Sequence, residues 1–282
     1  MKTLWTALFV MTLHFFAAQE NEVYADGVFG FEDNKAQKIF TDWTRIRKEP
    51  GVNAQILDSL STNQQVMILK KEEAVPVLQL GERKANWYKI SYQKGDVTSE
   101  GYVWGGNLCV GYRNKNGYAF LFGLSKTVDR KNKEFADIIE KQNIAGVKVM
   151  EGNTLLDEVY FNTGRGEELN TAAFTIESNH KLENVEFTLK AMVSGEACGI
   201  ATYDQYILFK DKKLIALPQL MNVGDAGVFY HSETYVFPND KGGIPNAFIL
   251  KTEDAETDEK NSETKKRSSK TYLWNGNLYK LK

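Results

Sequence analysis

Apolar residues in this chain recur at every second position, in short runs that polar turn residues cut off, and that pattern leaves room for strands and little else. The clearest case is residues 185–193. Val185, Phe187, Leu189, Ala191 and Val193 fall on one face there, and Glu186, Thr188 and Lys190 on the other. A strand of this kind is buried on one side, as antiparallel sheets allow. Further strands are expected at 65–69, 74–80, 86–92, 102–104, 119–124, 146–150, 157–161, 173–176, 205–209, 213–217, 229–237 and 247–250. Pro76 would interrupt a central ladder, so its strand is an edge or is bulged there. One helix is expected over 132–143, because Phe135, Ile138 and Ile139 lie three and four apart and Gly146 follows. The expected fold class is all-β: a small barrel followed by a larger, mainly antiparallel β domain with at most one short helix.

The first residues carry a different signal. Lys2 precedes an apolar run from Leu4 to Phe16, and Ala17 and Ala18 close it. This is the layout of a secretory signal peptide over 1–18, although Phe16 is bulky for its place before the cut. The run is too short for a typical membrane span. A secreted or periplasmic protein is expected, with no membrane insertion. The chain has 35 basic and 37 acidic side chains in 282 residues, a net charge of -2. That balance argues against nucleic acid as a partner, since phosphate contacts need cationic surface. Export makes Cys109 and Cys198 candidates for a disulfide, whose loop of about 90 residues is nominally worth ~4–5 kcal/mol. Two separate thiols fit the sequence equally well. Neither cysteine stands in a metal-binding spacing, and no metal site is expected.

After residue 18, composition divides the chain into a lead-in at 19–42, a compact stretch at 43–112, a turn-rich junction at 111–117 and a larger β domain at 118–282. Residues 252–270 hold six acidic and five basic side chains and nothing apolar larger than alanine. They read as a mobile charged loop, acidic in front and basic behind. The fragments at 102–108 and 272–278 echo one another, and Asn275-Gly276 marks a hairpin. Their wide separation indicates recurrent hairpin chemistry rather than propeller blades.

The compact stretch carries an ordered set of motifs: Arg45-Ile46-Arg47 with Pro50 behind it, Trp87-Tyr88-Lys89-Ile90, and Gly101-Tyr102-Val103-Trp104. In order and spacing, residues 43–110 resemble the bacterial SH3 domain. The first loop is longer than usual and an insertion follows Ile90, which alters the usual groove. The resemblance implies a peptide-binding or targeting module, often for cell-wall material. Trp43, Tyr88, Tyr102 and Trp104 are the aromatics that would line its groove, and Trp87 would plug the core.

Catalytic alternatives rest on few residues. Nucleophilic chemistry needs a nucleophile and a base, and Cys198 with His231 is the strongest pair available. The cysteine peptidases often joined to such barrels carry aspartate before the cysteine and serine-glycine after it, where this chain has Ala197 and Gly199. Asp157 with Glu177, or Glu186 with Glu233, would be the carboxylate pairs of a glycosidase. Asp225 lacks the neighbours of a calcium loop. The glycines at 27–32 and 161–168 do not form nucleotide fingerprints, so no cofactor is expected. The leading expectation is a non-catalytic binding protein for a peptide or cell-wall glycopeptide. A cell-wall hydrolase and a structural or inhibitory protein-interaction module are its rivals.

Overall fold

The computed structural model describes residues 29–73, 75–80, 83–131, 139–165, 169–195, 198–258 and 262–282. The expected signal peptide lies outside them. The architecture is all-β, and among the described residues the only helical element is a single 3-10 turn at Gly105–Asn107.

The first unit is a six-stranded sheet. In chain order its strands are β1 (Ala36–Lys38), β2 (Trp43–Arg47), β3 (Ile56–Ser61) and β4 (Gln65–Lys71), then, after a small hairpin of β5 (Leu78–Leu80) and β6 (Arg83–Ala85), β7 (Trp87–Lys94) and β8 (Val97–Trp104). The order across the sheet is β1-β4-β7-β8-β2-β3. Ile46, Leu60, Val66, Ile68, Tyr88, Ile90 and Val103 come from five of these strands and meet in one buried cluster, so the sheet wraps around a single core. The lead-in belongs to this unit. β1 pairs with β4, and the Phe31 ring lies edge-on to Tyr88 at 5.2 Å. Pro76 stands outside any strand, and the pairing expected at 74–80 survives only as β5.

The second unit is a sandwich. One sheet holds β9 (Gly111–Lys115), β10 (Tyr118–Lys131), β11 (Ile139–Glu151) and β12 (Thr154–Arg165). The other holds β13 (Thr171–Glu177), β14 (Phe187–Ser194), β15 (Thr202–Lys210), β16 (Lys213–Ala216), β17 (Leu220–Asp225), β18 (Phe229–Val236), β19 (Ala247–Thr257), β20 (Glu263–Trp274) and β21 (Tyr279–Leu281). Phe120, Phe122, Val147 and Val149 from the first face Phe174, Phe187, Leu189, Ala191, Val193, Ile207 and Phe209 from the second. The alternation read in 187–193 is the one observed. Val185 departs from it: it precedes the strand and packs with Leu208, Phe248 and Trp274 in a second cluster.

Three expectations change. The end of the expected helix, 139–143, is strand, because β10 and β11 pair as far as Lys131 and Ile139, and residues 132–138 lie outside the described set. A short isolated helix has little stability of its own, whereas a paired strand gains a bond partner at each step. The junction at 111–117 is a hairpin of the sandwich, β9 turning through Asn116 and Gly117 into β10. The described parts of the charged stretch, 252–257 and 263–270, pair as an antiparallel ribbon, in which Glu253 faces Arg267 and Asp254 faces Lys266. Opposite charges face each other in register, and the ribbon is rooted in buried Ala247 and Phe248.

The two units are joined by Phe40. Gly123 and Gly146 are cross-strand partners in β10 and β11, and a Cβ on Gly123 would stand 2.4 Å from the Phe40 ring. Around this notch Lys148 pairs with Asp42 at 2.9 Å, and Asn63 donates to the Gly152 carbonyl at 2.8 Å. Cys109 lies in the same cluster with Ala119, Leu121 and Met150.

Of the two alternatives for the cysteines, the structure has separate thiols. Cys109 is buried and Cys198 exposed, and both are free. Burial pushes the Cys109 thiol far up, against the smaller opposing pull of Lys38 and Lys148. Alkylation of native protein at pH 8, read by peptide mass, should therefore modify Cys198 and reach Cys109 only in denaturant; equal labelling would contradict the junction. Replacing Gly123 by Ala should displace Phe40 and cost about 1–3 kcal/mol in chemical denaturation. An unchanged midpoint would show that Phe40 does not depend on the notch.

Candidate functional site

In β7 and β8 the side chains alternate between the core and the outer face of the six-stranded sheet. Tyr88, Ile90 and Val103 point inward, so Trp87, Lys89, Tyr102 and Trp104 stand on the outer face. The hairpin of β5 and β6 covers part of that face. Trp87 and Trp104 are cross-strand partners and pack with Val75, Leu78, Leu80 and Ala85. The Trp104 indole nitrogen lies 3.2 Å from the carbonyls of both Leu78 and Ala85, and Arg83 lies over its ring at 5.1 Å. Arg83 also donates to the carbonyls of Gly106 and Leu124, which binds the cover to the sandwich.

Two of the four expected groove aromatics are therefore structural. Tyr88 is 0% exposed, and its hydroxyl accepts the Phe31 N–H at 3.3 Å. Trp104 is 2% exposed, and its polar edge is used by the cover. The aromatic count in the sequence could not show which rings the β5–β6 hairpin would bury. Trp43 stays 59% exposed, with the Arg45 guanidinium 5.4 Å from its ring, and Tyr102 is half-buried.

The open part of the outer face is a ladder of Lys89, Tyr102, Arg47 and Ile56 across four adjacent strands. Arg47 is buried and donates to the Ala54 carbonyl at 2.6 Å, which ties the 48–55 loop to the sheet. Leu57 is the extra residue of a bulge opposite Ile46 and Arg47. Ile56, Leu57 and Val52 expose apolar side chains where β3 forms the edge of the sheet. Trp43 lies four residues from Arg47 along β2, about 13 Å away, so it flanks this surface rather than joining Tyr102. Lys89 and Glu100 close the other side with a 2.6 Å ion pair. Such a surface offers apolar contact, one aromatic at each end and a free strand edge. None of Ile56, Leu57 or Val52 was singled out in the sequence, because exposure of an apolar strand residue depends on which edge remains unpaired.

The second candidate from the sequence, Cys198 with His231, is half assembled. Both line a shallow concavity of about 580 Å³ with Asn222 and Ser232. His231 Nδ1 and Asp254 Oδ1 are 2.6 Å apart, which orients the ring. The other nitrogen, Nε2, has no hydrogen-bond partner and lies 3.6 Å from Glu233 Oε1. The contact between nucleophile and base is thus not made. Three of the four carboxylates weighed as acid and base, all but Glu186, have other partners. Asp157 accepts the Leu214 N–H at 2.8 Å, Glu177 faces His180 at 3.1 Å, and Glu233 accepts the Met221 N–H at 2.8 Å. Among the described residues no group of three or more His, Cys, Asp or Glu is placed to hold a metal ion.

Comparison with protein families agrees with the barrel and is confined to it. Residues 44–108 match the family described as the bacterial SH3 domain, less than a quarter of the chain. Neither the curated proteins nor the solved structures contain a match to this chain. The chain carries a bacterial SH3 domain at residues 44–108, joined to a separate β sandwich.

Proposed function

We propose that this chain is an exported, non-catalytic binding protein whose SH3 domain takes up a peptide or cell-wall glycopeptide on the face of β8, β2 and β3. The observation that carries the reading is the exposed apolar edge at Ile56 and Leu57 beside Tyr102, in a domain of a family that resembles cell-wall targeting modules. A peptide laid along β3 would bond to its free backbone edge, and alternate side chains would meet Ile56 and Tyr102. Trp43 with Arg45 would give the ligand an aromatic and a cationic end. Export is supported by Lys2, the apolar run from Leu4 to Phe16 and the Ala17-Ala18 exit.

The reading does not include turnover, because His231 Nε2 touches no nucleophile. In a sedimentation assay with purified peptidoglycan, the exported protein should be retained. Trp43→Ala and Ile56→Asp should each weaken retention about 5- to 30-fold, the usual cost of losing an interface anchor, with the melting curve unchanged. Retention of the doubly substituted protein at the level of the parent would rule out this face. Expressed with its first residues intact, the protein should be recovered from the periplasm with its N-terminus after Ala18. An unprocessed cytoplasmic product would contradict export.

A further inference from the structure

The ribbon of β18, β19 and β20 arranges one of its faces as a grid. Register places Tyr230, Ala255 and Lys265 in one cross-strand row, Ser232, Glu253 and Arg267 in the next, and Thr234, Lys251 and Ser269 in a third. At the usual strand spacings this surface measures roughly 10 by 14 Å, the footprint of a disaccharide. It lines a cleft of about 660 Å³. The shallow concavity beside Cys198 shares Tyr230 and Ser232 with it.

The polar groups of the grid are held ready. Glu253 accepts from the Tyr230 hydroxyl and from Arg267 Nε. Arg267 first, and Tyr230 after it, hold the Glu253 carboxyl below the usual carboxylate range. Glu253 is therefore an ionised anchor. It fixes Arg267 through Nε and leaves both terminal guanidinium nitrogens without a partner among the described residues, on a side chain that is 70% exposed. Those two nitrogens form the fork that grips a planar carboxylate. Lys251, exposed and without an acidic partner among the described residues, stands in the next row, and Lys265 lies 5.8 Å from the centre of the Tyr230 ring.

We propose that this grid is a binding site for an acidic saccharide, its carboxylate held by Arg267 and Lys251 and its hydroxyls by Ser232, Thr234 and Ser269. Hydroxyl-bearing residues in all three rows, Tyr230, Ser232, Thr234 and Ser269, suit a polyhydroxylated ring. Glu253 between the cations disfavours a doubly charged phosphate and tolerates a single carboxylate charge. The site is independent of the SH3 face and lies on the other unit of the chain.

Titration calorimetry of the full exported chain with a galacturonic acid tetramer at physiological salt tests the assignment. Saturable one-to-one binding is expected. Arg267→Gln and Lys251→Gln should each weaken it about tenfold, the worth of one charge-assisted bond. Lys251 has no internal bond to lose, so its variant separates recognition from folding. Lys270→Gln removes the same charge from the opposite face of the ribbon and should leave the affinity within about twofold, since contact rather than long-range field carries the bond. Four results would overturn the site: no binding, equal binding of a neutral chitin tetramer, displacement of the tetramer by equimolar inorganic phosphate, or an equal loss in Lys270→Gln. Peptidoglycan retention through the SH3 face would be unaffected by any of them.

Discussion

Phe40 in the notch of Gly123 and Gly146 is the contact on which the arrangement of the molecule rests. Protein interiors are packed too densely for a ring to enter a sheet face unless residues without side chains make room. Paired glycines on adjacent strands provide that room. Once the ring is seated, Lys148 can reach Asp42 while keeping its own stem buried, and it also lies over the Phe40 ring at 5.1 Å. One end of the SH3 sheet is then closed by the sandwich, and the β5–β6 hairpin closes the neighbouring part through Arg83. The face left open is that of β8, β2 and β3.

The two proposed surfaces differ in chemistry as they differ in origin. The SH3 face exposes apolar side chains at Ile56 and Leu57 along β3, an edge strand paired on one side only, which favours extended peptides. The ribbon face is built of hydroxyls and ions whose mutual pairs are exposed and weakly stabilising on their own. Its order comes from the backbone ladder and from the buried root at Ala247, Phe248 and Trp274, where the indole donates to the Glu183 carbonyl at 2.7 Å. The charges on the ribbon are thus free to serve recognition because they are not needed to hold the strands together.

Much of the sandwich was legible in the sequence. Period-two burial in Phe187, Leu189, Ala191 and Val193, and the apolar runs at 119–124 and 205–209, place the strands and their buried faces, because a half-buried strand must alternate. The SH3 domain was legible through the order and spacing of its motifs, which resemble those of the bacterial SH3 domain. The charged ribbon was not, since its order comes from a backbone ladder rooted in buried Ala247 and Phe248, which the composition of 252–270 cannot display. Nor was the fate of Trp104, whose burial depends on the cover of the β5–β6 hairpin. For Cys198 and His231 the sequence placed both residues in view and the fold brought them to one concavity, but the missing contact at Nε2 is a matter of geometry alone.

The open face of the SH3 sheet is the proposed ligand surface. Titrating the isotope-labelled exported chain with a soluble muropeptide, and following backbone amide shifts by NMR, tests it most directly. The account predicts saturable shifts grouped at Trp43, Arg47, Ile56, Leu57 and Tyr102, with the amides of Ile90 and Val103 in the core little changed. Saturation with no shifts on β2, β3 or β8, or with shifts confined to the sandwich, would contradict it.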